Sequence, residues 1–218
     1  MKYSCIFKEI YQSQLGPLEL LINSSNQLFA EENKKGVLVT ADYEVVIKKI
    51  APYFDWLPAG MQVESAQAWL FYLSKRNAGS EQLSFSIALQ ATNTVVQCGA
   101  ATGQNLIAVE FENGTRQMHI GTEDEDAMAY RASISDHMPA RFETLLSKYE
   151  MEVTTITACG LFTQIPVLVM GEQFYFHYIV AENPCLQSTD YPNEADASTW
   201  FAVEQSKMQL ERSWRVQS

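Results

Sequence analysis

Three histidines, four cysteines and one run of four acids are the residues of this 218-residue chain whose chemistry stands out. The histidines, His119, His137 and His177, show neither HxH nor HExxH spacing, so a zinc site would need ligands converging from distant segments. His177 lies in Phe174-Tyr175-Phe176-His177-Tyr178. An aromatic-lined strand desolvates an imidazole and keeps it neutral, which suits either a general base or a ligand donor. With Glu172 and His119 it forms the candidate catalytic set. The simpler reading is a hydrogen-bonded core histidine. A thiol nucleophile such as Cys159 beside His177 lacks any neighbouring group to favour a thiolate. Gly99-Ala100-Ala101-Thr102-Gly103 is not followed by Lys-Ser/Thr, and no GxSxG elbow or dinucleotide fingerprint occurs. The inventory therefore implies no metal and no cofactor, and leans away from an enzyme.

The acid run is Glu123-Asp124-Glu125-Asp126. Four adjacent carboxylates repel one another unless they stay solvated, start a helix, or meet a cation. Calcium loops need alternating ligands with a glycine and a distal Glu, which are absent here. The quartet is thus the candidate partner-binding site, for a basic protein surface.

The whole chain points the same way, with 26 acids against 15 bases and a formal net charge of −11. Such a balance disfavours nucleic-acid phosphate and anionic lipid, which require Lys and Arg clusters. Residues 1–80 hold eight acids and eight bases, residues 81–150 ten and four, and residues 151–218 eight and three. The excess lies after residue 80. Charge at Lys2, Lys8 and Glu9 interrupts the N-terminal stretch too early for the expectation of a secretory signal, and the apolar stretch Phe174 to Ala181 is too short to span a bilayer. Cys5, Cys98, Cys159 and Cys185 are scattered without CxxC, which suits buried thiols in a reducing cytoplasm.

Periodicity supplies the elements that must position these groups. Asp42 as a cap, then Tyr43, Val46, Ile47, Ile50 and Phe54, predicts a helix ending near Pro58-Ala59-Gly60. A second helix is expected from Val63 to about Arg76, closed by Asn77-Ala78-Gly79-Ser80. Strand alternation begins with Leu83, Phe85, Ile87 and Leu89. Leu106–Phe111 and Arg116–Ile120 form a hairpin around Asn113-Gly114, expected as a type I′ turn. Strands are also expected at Thr154–Ala158, Val167–Met170 and Phe174–Val180, the last covered on both faces. Helices should follow Asp136, through Phe142, Leu145, Leu146 and Tyr149, and occupy about Ser198 to Ser213, after a loop over residues 183–196.

These elements compose an α+β fold, with a mainly antiparallel sheet, about four helices and a smaller helical N-terminal part. The expected division is a neutral, helix-rich part over 1–80 and an acidic α+β part over 81–218. The expected function is that of a soluble, cytoplasmic, acidic protein-binding protein, such as an immunity-type inhibitor or a chaperone acting on a basic partner. The alternative is an enzyme or small-ligand binder built around His177, and self-association into a homo-oligomer is also open.

Overall fold

The computed structural model describes residues 3–26, 31–33, 36–54, 57–91, 96–185 and 197–217. Thirteen strands run along them: β1 (Ser4–Ser13), β2 (Gly16–Ser24), β3 (Glu31–Asn33), β4 (Val37–Val39), β5 (Tyr43–Ile50), β6 (Ser65–Lys75), β7 (Leu83–Leu89), β8 (Gln97–Ala100), β9 (Leu106–Glu112), β10 (Arg116–Glu123), β11 (Thr154–Thr157), β12 (Gly160–Gln164) and β13 (Gln173–Pro184). Four short helices accompany them: α1 (Glu125–Ser133), α2 (Glu143–Ser147), α3 (Ser198–Val203) and α4 (Lys207–Gln217). The strands form two antiparallel sheets, ordered β1-β2-β7-β12-β11 and β3-β4-β5-β6-β13-β10-β9-β8. Both sheets combine strands from either side of residue 80.

The two sheets share one apolar core. Leu18, Leu20, Ile22, Phe85 and Ile87 of the five-stranded sheet meet Trp69, Phe71, Phe174, Phe176 and Tyr178 of the eight-stranded one. At its centre Phe71 stacks on Phe176 with centroids 4.8 Å apart, and Phe85 packs edge-on to Phe176 at 4.8 Å. Such ring pairs add about 0.5–1.5 kcal/mol each beyond their buried area. Tyr178 ties the layers by polar contact, its hydroxyl donating to Thr163 Oγ1 at 2.7 Å. Met128, Phe142 and Leu146 extend this core, so α1 and α2 close one end of the sandwich.

A second core explains why β13 is apolar on nearly every residue. Its even-numbered side chains, Phe174 to Val180, enter the inter-sheet layer. Its odd-numbered Tyr175, Ile179 and Ala181 face outward under α3 and α4, with Leu70, Ala202, Val203 and Leu210. β13 lies between β6 and β10, a central strand covered on both faces as its sequence predicts. α3 approaches β10 where Gly121 leaves room, since a Cβ there would lie 2.8 Å from Val203 Cβ and 2.9 Å from Leu106 Cδ1.

The expected helix-rich α+β architecture is overturned. The chain is mostly β, 47% strand and 18% helical, and its N-terminal part contains no helix among the described residues. The segment read as a helix after Asp42 is β5, whose β-branched Val45, Val46, Ile47 and Ile50 favour the pleated state. The segment from Val63 is β6, with Ala68, Trp69, Leu70 and Phe71 consecutively buried. Apolar residues on both faces satisfy a helical template as readily as a strand, so spacing alone misassigned it. Asp42 caps nothing. Its carboxylate instead accepts from buried Lys75 at 3.1 Å and from the Glu81 amide at 2.8 Å.

Smaller departures follow similar logic. The Asn113-Gly114 hairpin forms, but among its residues only Gly114 has positive φ, and Glu112 pairs with Gln117. Asn113 Oδ1 accepts from the Thr115 and Arg116 amides, replacing the type I′ turn with a side-chain-braced one. Val167–Met170 is a connection, exposed except for Leu168, which reaches into the core, and β12 takes the place beside β11 and β7. The helix expected after Asp136 shrinks to a 3₁₀ turn at Ala140–Phe142 followed by α2, and the C-terminal helix is broken between α3 and α4. Of the expected loop over 183–196, residues 186–196 lie outside the described residues. The thiols are free but not core residues, because Cys5, Cys98 and Cys159 are exposed and Cys185 is half-buried. No helix among the described residues is long and apolar enough to cross a membrane.

Candidate functional site

The candidate catalytic residues occupy three separate environments. His177 is completely buried on the helix-covered face of β13, where the Tyr175 hydroxyl lies 3.0 Å from its Nδ1. Desolvation lowers its pKa to about 4, outweighing the nearby Glu123 charge that favours protonation. His119 on β10 is likewise buried, 2.9 Å from Thr199 Oγ1, and burial lowers its pKa to about 4. His119 pairs with Ala181, four residues along β13 from His177, a spacing of about 13 Å. Glu172 sits in the turn before β13, where Arg141 clamps both its oxygens at 2.8 and 2.7 Å and holds its carboxyl below the usual range. These three do not converge. No group of three or more metal-ligating side chains is positioned to hold an ion among the described residues.

The acid quartet is divided by the junction between β10 and α1. Glu123, the last residue of β10, turns inward and pairs with buried Arg131, 2.7 Å from its NH2. Asp124 is the N-cap of α1, its carboxylate accepting from the Ala127 amide at 2.9 Å. Glu125 and Asp126 occupy the first turn, where the helix dipole favours acids. Asp126 is exposed and accepts from the Tyr149 hydroxyl at 2.9 Å. Burial pushes the Asp124 and Glu125 carboxyls upward.

Glu123 belongs to a buried charge network beneath an open cleft. Besides Glu123, Arg131 donates to the Tyr175 carbonyl at 2.9 Å, linking α1 to β13. The Glu123 carboxylate also accepts from the backbone amide of Lys207 at 3.2 Å, which links it to the start of α4. Lys207 Nζ bridges Asp136 at 2.8 Å and Glu211 at 3.0 Å, and the Tyr72 hydroxyl donates to Glu211 at 2.7 Å. Both cations lie over the Tyr175 ring, at 5.1 Å for Arg131 and 5.3 Å for Lys207. Burial opposes ionisation of Asp136 and Glu211, but hydrogen bonds from Lys207 and its neighbours prevail and lower both.

Above this network α1 and α4 enclose a cleft of about 880 Å³, within the size range of small-ligand and side-chain pockets. Its charged lining is four acids, Glu123, Asp136, Glu204 and Glu211, against Arg131 and Lys207. Glu204, following α3, has no ion-pair partner among the described residues, and desolvation raises its carboxyl. Gln205 is buried in the cleft wall. Its amide nitrogen donates to the Ala202 carbonyl at 3.1 Å, while its Oε1 receives no hydrogen bond from the described residues. The rim carries exposed apolar side chains, Tyr130 of α1, Ile134 at its C-cap and Met208 of α4.

Sequence reasoning missed this cleft except for Glu123. Its other residues come from α1, the turn after it, the break between α3 and α4, the start of α4, and Asn105 before β9, a juxtaposition that local periodicity does not encode. The usable signal was Met208 on a helix face otherwise rich in charge. No protein-family model matches the chain, and neither a curated protein nor a solved structure matches it.

Proposed function

We propose that this protein acts by binding another protein, and that the partner presents a basic surface. The observation that carries this reading is the cleft, where a surplus of carboxylates sits beside exposed Tyr130, Ile134 and Met208. Charge complementarity steers encounter and rejects wrong partners, while aromatic and aliphatic anchors supply the short-range affinity. Burial of some charges does not erase the acidic excess. Among the described residues after residue 80, Glu81, Glu123 and Glu182 are buried, as are Arg131 and Lys207, which leaves 12 acids against 5 bases. Immunity-type inhibitors and chaperones of basic proteins work by this physics.

The reading built on chemistry at His177 gains no support from the geometry, because that ring is sealed and Glu172 and His119 stand apart from it. Within the quartet, exposed Asp126 is the member that supports this reading best, Glu123 being committed to Arg131 and Glu125 half-buried.

The test is a pulldown with the full chain as bait, followed by titration of captured basic proteins at low and high salt. The expected result is a partner whose affinity falls steeply with salt. Capture of no salt-sensitive basic protein would overturn the reading.

A further inference from the structure

We infer that the cleft between α1 and α4 receives one lysine or arginine side chain of the partner, flanked by apolar residues. This rests on the basic-partner reading and names the group recognised. Three observations converge on a cation. The acids of the lining outnumber the bases four to two, and both bases are already neutralised, Arg131 by Glu123 and Lys207 by Asp136 and Glu211. Glu204 is a partly desolvated carboxylate with no cation among the described residues, so an arriving positive charge lowers its energy. Gln205 Oε1, buried in the same wall, lacks a donor among the described residues. An unpaired buried acceptor costs about 1–3 kcal/mol.

An ammonium or guanidinium brings several donors on one charged head, for Glu204 directly and for Gln205 Oε1 once that side chain, whose oxygen is sealed from solvent, turns toward the cleft. An anion would meet the carboxylate surplus, and a neutral apolar group would leave Gln205 Oε1 and Glu204 as they are. The apolar flanks follow from the rim. Tyr130 is 68% exposed and Met208 77%, large side chains at the mouth of a charged cleft. A tyrosine ring can lie against an alkyl stem or a guanidinium plane, and methionine adapts to varied neighbours. A free polyamine shares the head-group chemistry but not the apolar flanks, so the rim favours a polypeptide segment.

The experiment uses the full chain with methyl-labelled methionine and three probes: the capped tripeptide Leu-Lys-Leu, its norleucine analogue, and spermidine. Leu-Lys-Leu is expected to shift the Met208 methyl resonance and to bind about tenfold tighter than the norleucine analogue, the ratio that one charge-assisted hydrogen bond gives. Glu204→Gln should remove most of that preference. Glu143→Gln, which deletes an exposed acid on α2 outside the cleft, should leave it intact, and thermal melts check that both variants fold. Equal binding of the norleucine analogue, an unmoved Met208 methyl, or equal effects of the two variants would each overturn the inference. Spermidine binding tighter than the tripeptide would overturn the polypeptide as occupant. A poly-lysine control separates the two levels: salt-sensitive binding that leaves Met208 unmoved refutes the cleft alone, and no binding refutes the basic-partner reading as well.

Discussion

Arg131 on α1 holds Glu123 at the end of β10 through Nε and Nη2 and, through the same Nη2, the backbone carbonyl of Tyr175 on β13. One guanidinium therefore fastens a short helix to two neighbouring strands. Removing it leaves a carboxylate buried without its cation, which typically costs 3–5 kcal/mol. Arg131→Met should destabilise by about that amount, measured by chemical denaturation. Combining it with Glu123→Leu should recover part of the loss, and strict additivity in the double-mutant cycle would contradict the pairing.

Two histidines make stability depend on pH. His119 and His177 have folded pKa values near 4 because burial disfavours their charged forms, against 6.5 when exposed. The groups facing His177 are Tyr175, Glu123 and Arg131. Between pH 6.5 and 4 the unfolded chain binds protons at both rings that the folded chain does not. Stability is thus present above pH 6.5 and falls as the pH drops toward 4. Unfolding near pH 5 should take up about two protons from this source, and His119→Gln should reduce the slope of stability against pH by about one. An unchanged slope would disprove the buried neutral state.

Close approach at Gly121 predicts a steric effect. Gly121→Ala puts a methyl against Val203 and Leu106 and should cost about 1–3 kcal/mol, the usual range for overpacking. Adding Val203→Ala should relieve part of it. A thermal melt of the two variants decides the matter, and a neutral Gly121→Ala would show that α3 does not press on β10.

Thiol reactivity should separate the cysteines by rate. Burial raises the Cys98 and Cys185 thiols, which leaves less thiolate at a given pH. Cys98 is exposed like Cys5 and Cys159, so its raised pKa alone slows it, whereas Cys185 is also half-buried. A chromogenic disulfide reagent should titrate four thiols in the native protein, two quickly and two slowly. Fewer than four would reveal a disulfide.

Alternation was the most informative signal in the sequence. It placed β7, β9 and β10, because strands with one polar face, or lying within a hairpin marked by Asn-Gly, repeat every second residue, whereas β13 was legible from its unbroken apolar run. It failed at β5 and β6. Val46, Ile47 and Ile50 fit a helical stripe and a buried strand equally, and only pairing with distant residues resolves the difference. The acid quartet was legible as a helix start, since Asp124 caps α1, yet Glu123 could not be seen to turn inward without Arg131 placed beside it. The cleft was not legible, because Tyr130, Glu204 and Met208 meet only after both sheets are assembled.

The pairing of β6 with β13 has a consequence for synthesis of the chain. Ser65 and Glu182, joined across these strands, are 117 residues apart. β6 carries Ala68 to Phe71 and can pair early with β5, but its other edge stays open until the ribosome has released residues up to 184. Contacts this distant slow folding, and an apolar strand with an open edge is a template for pairing with other chains. Nascent chains stopped before β13 should therefore aggregate or recruit folding helpers, whereas chains extended past it should not.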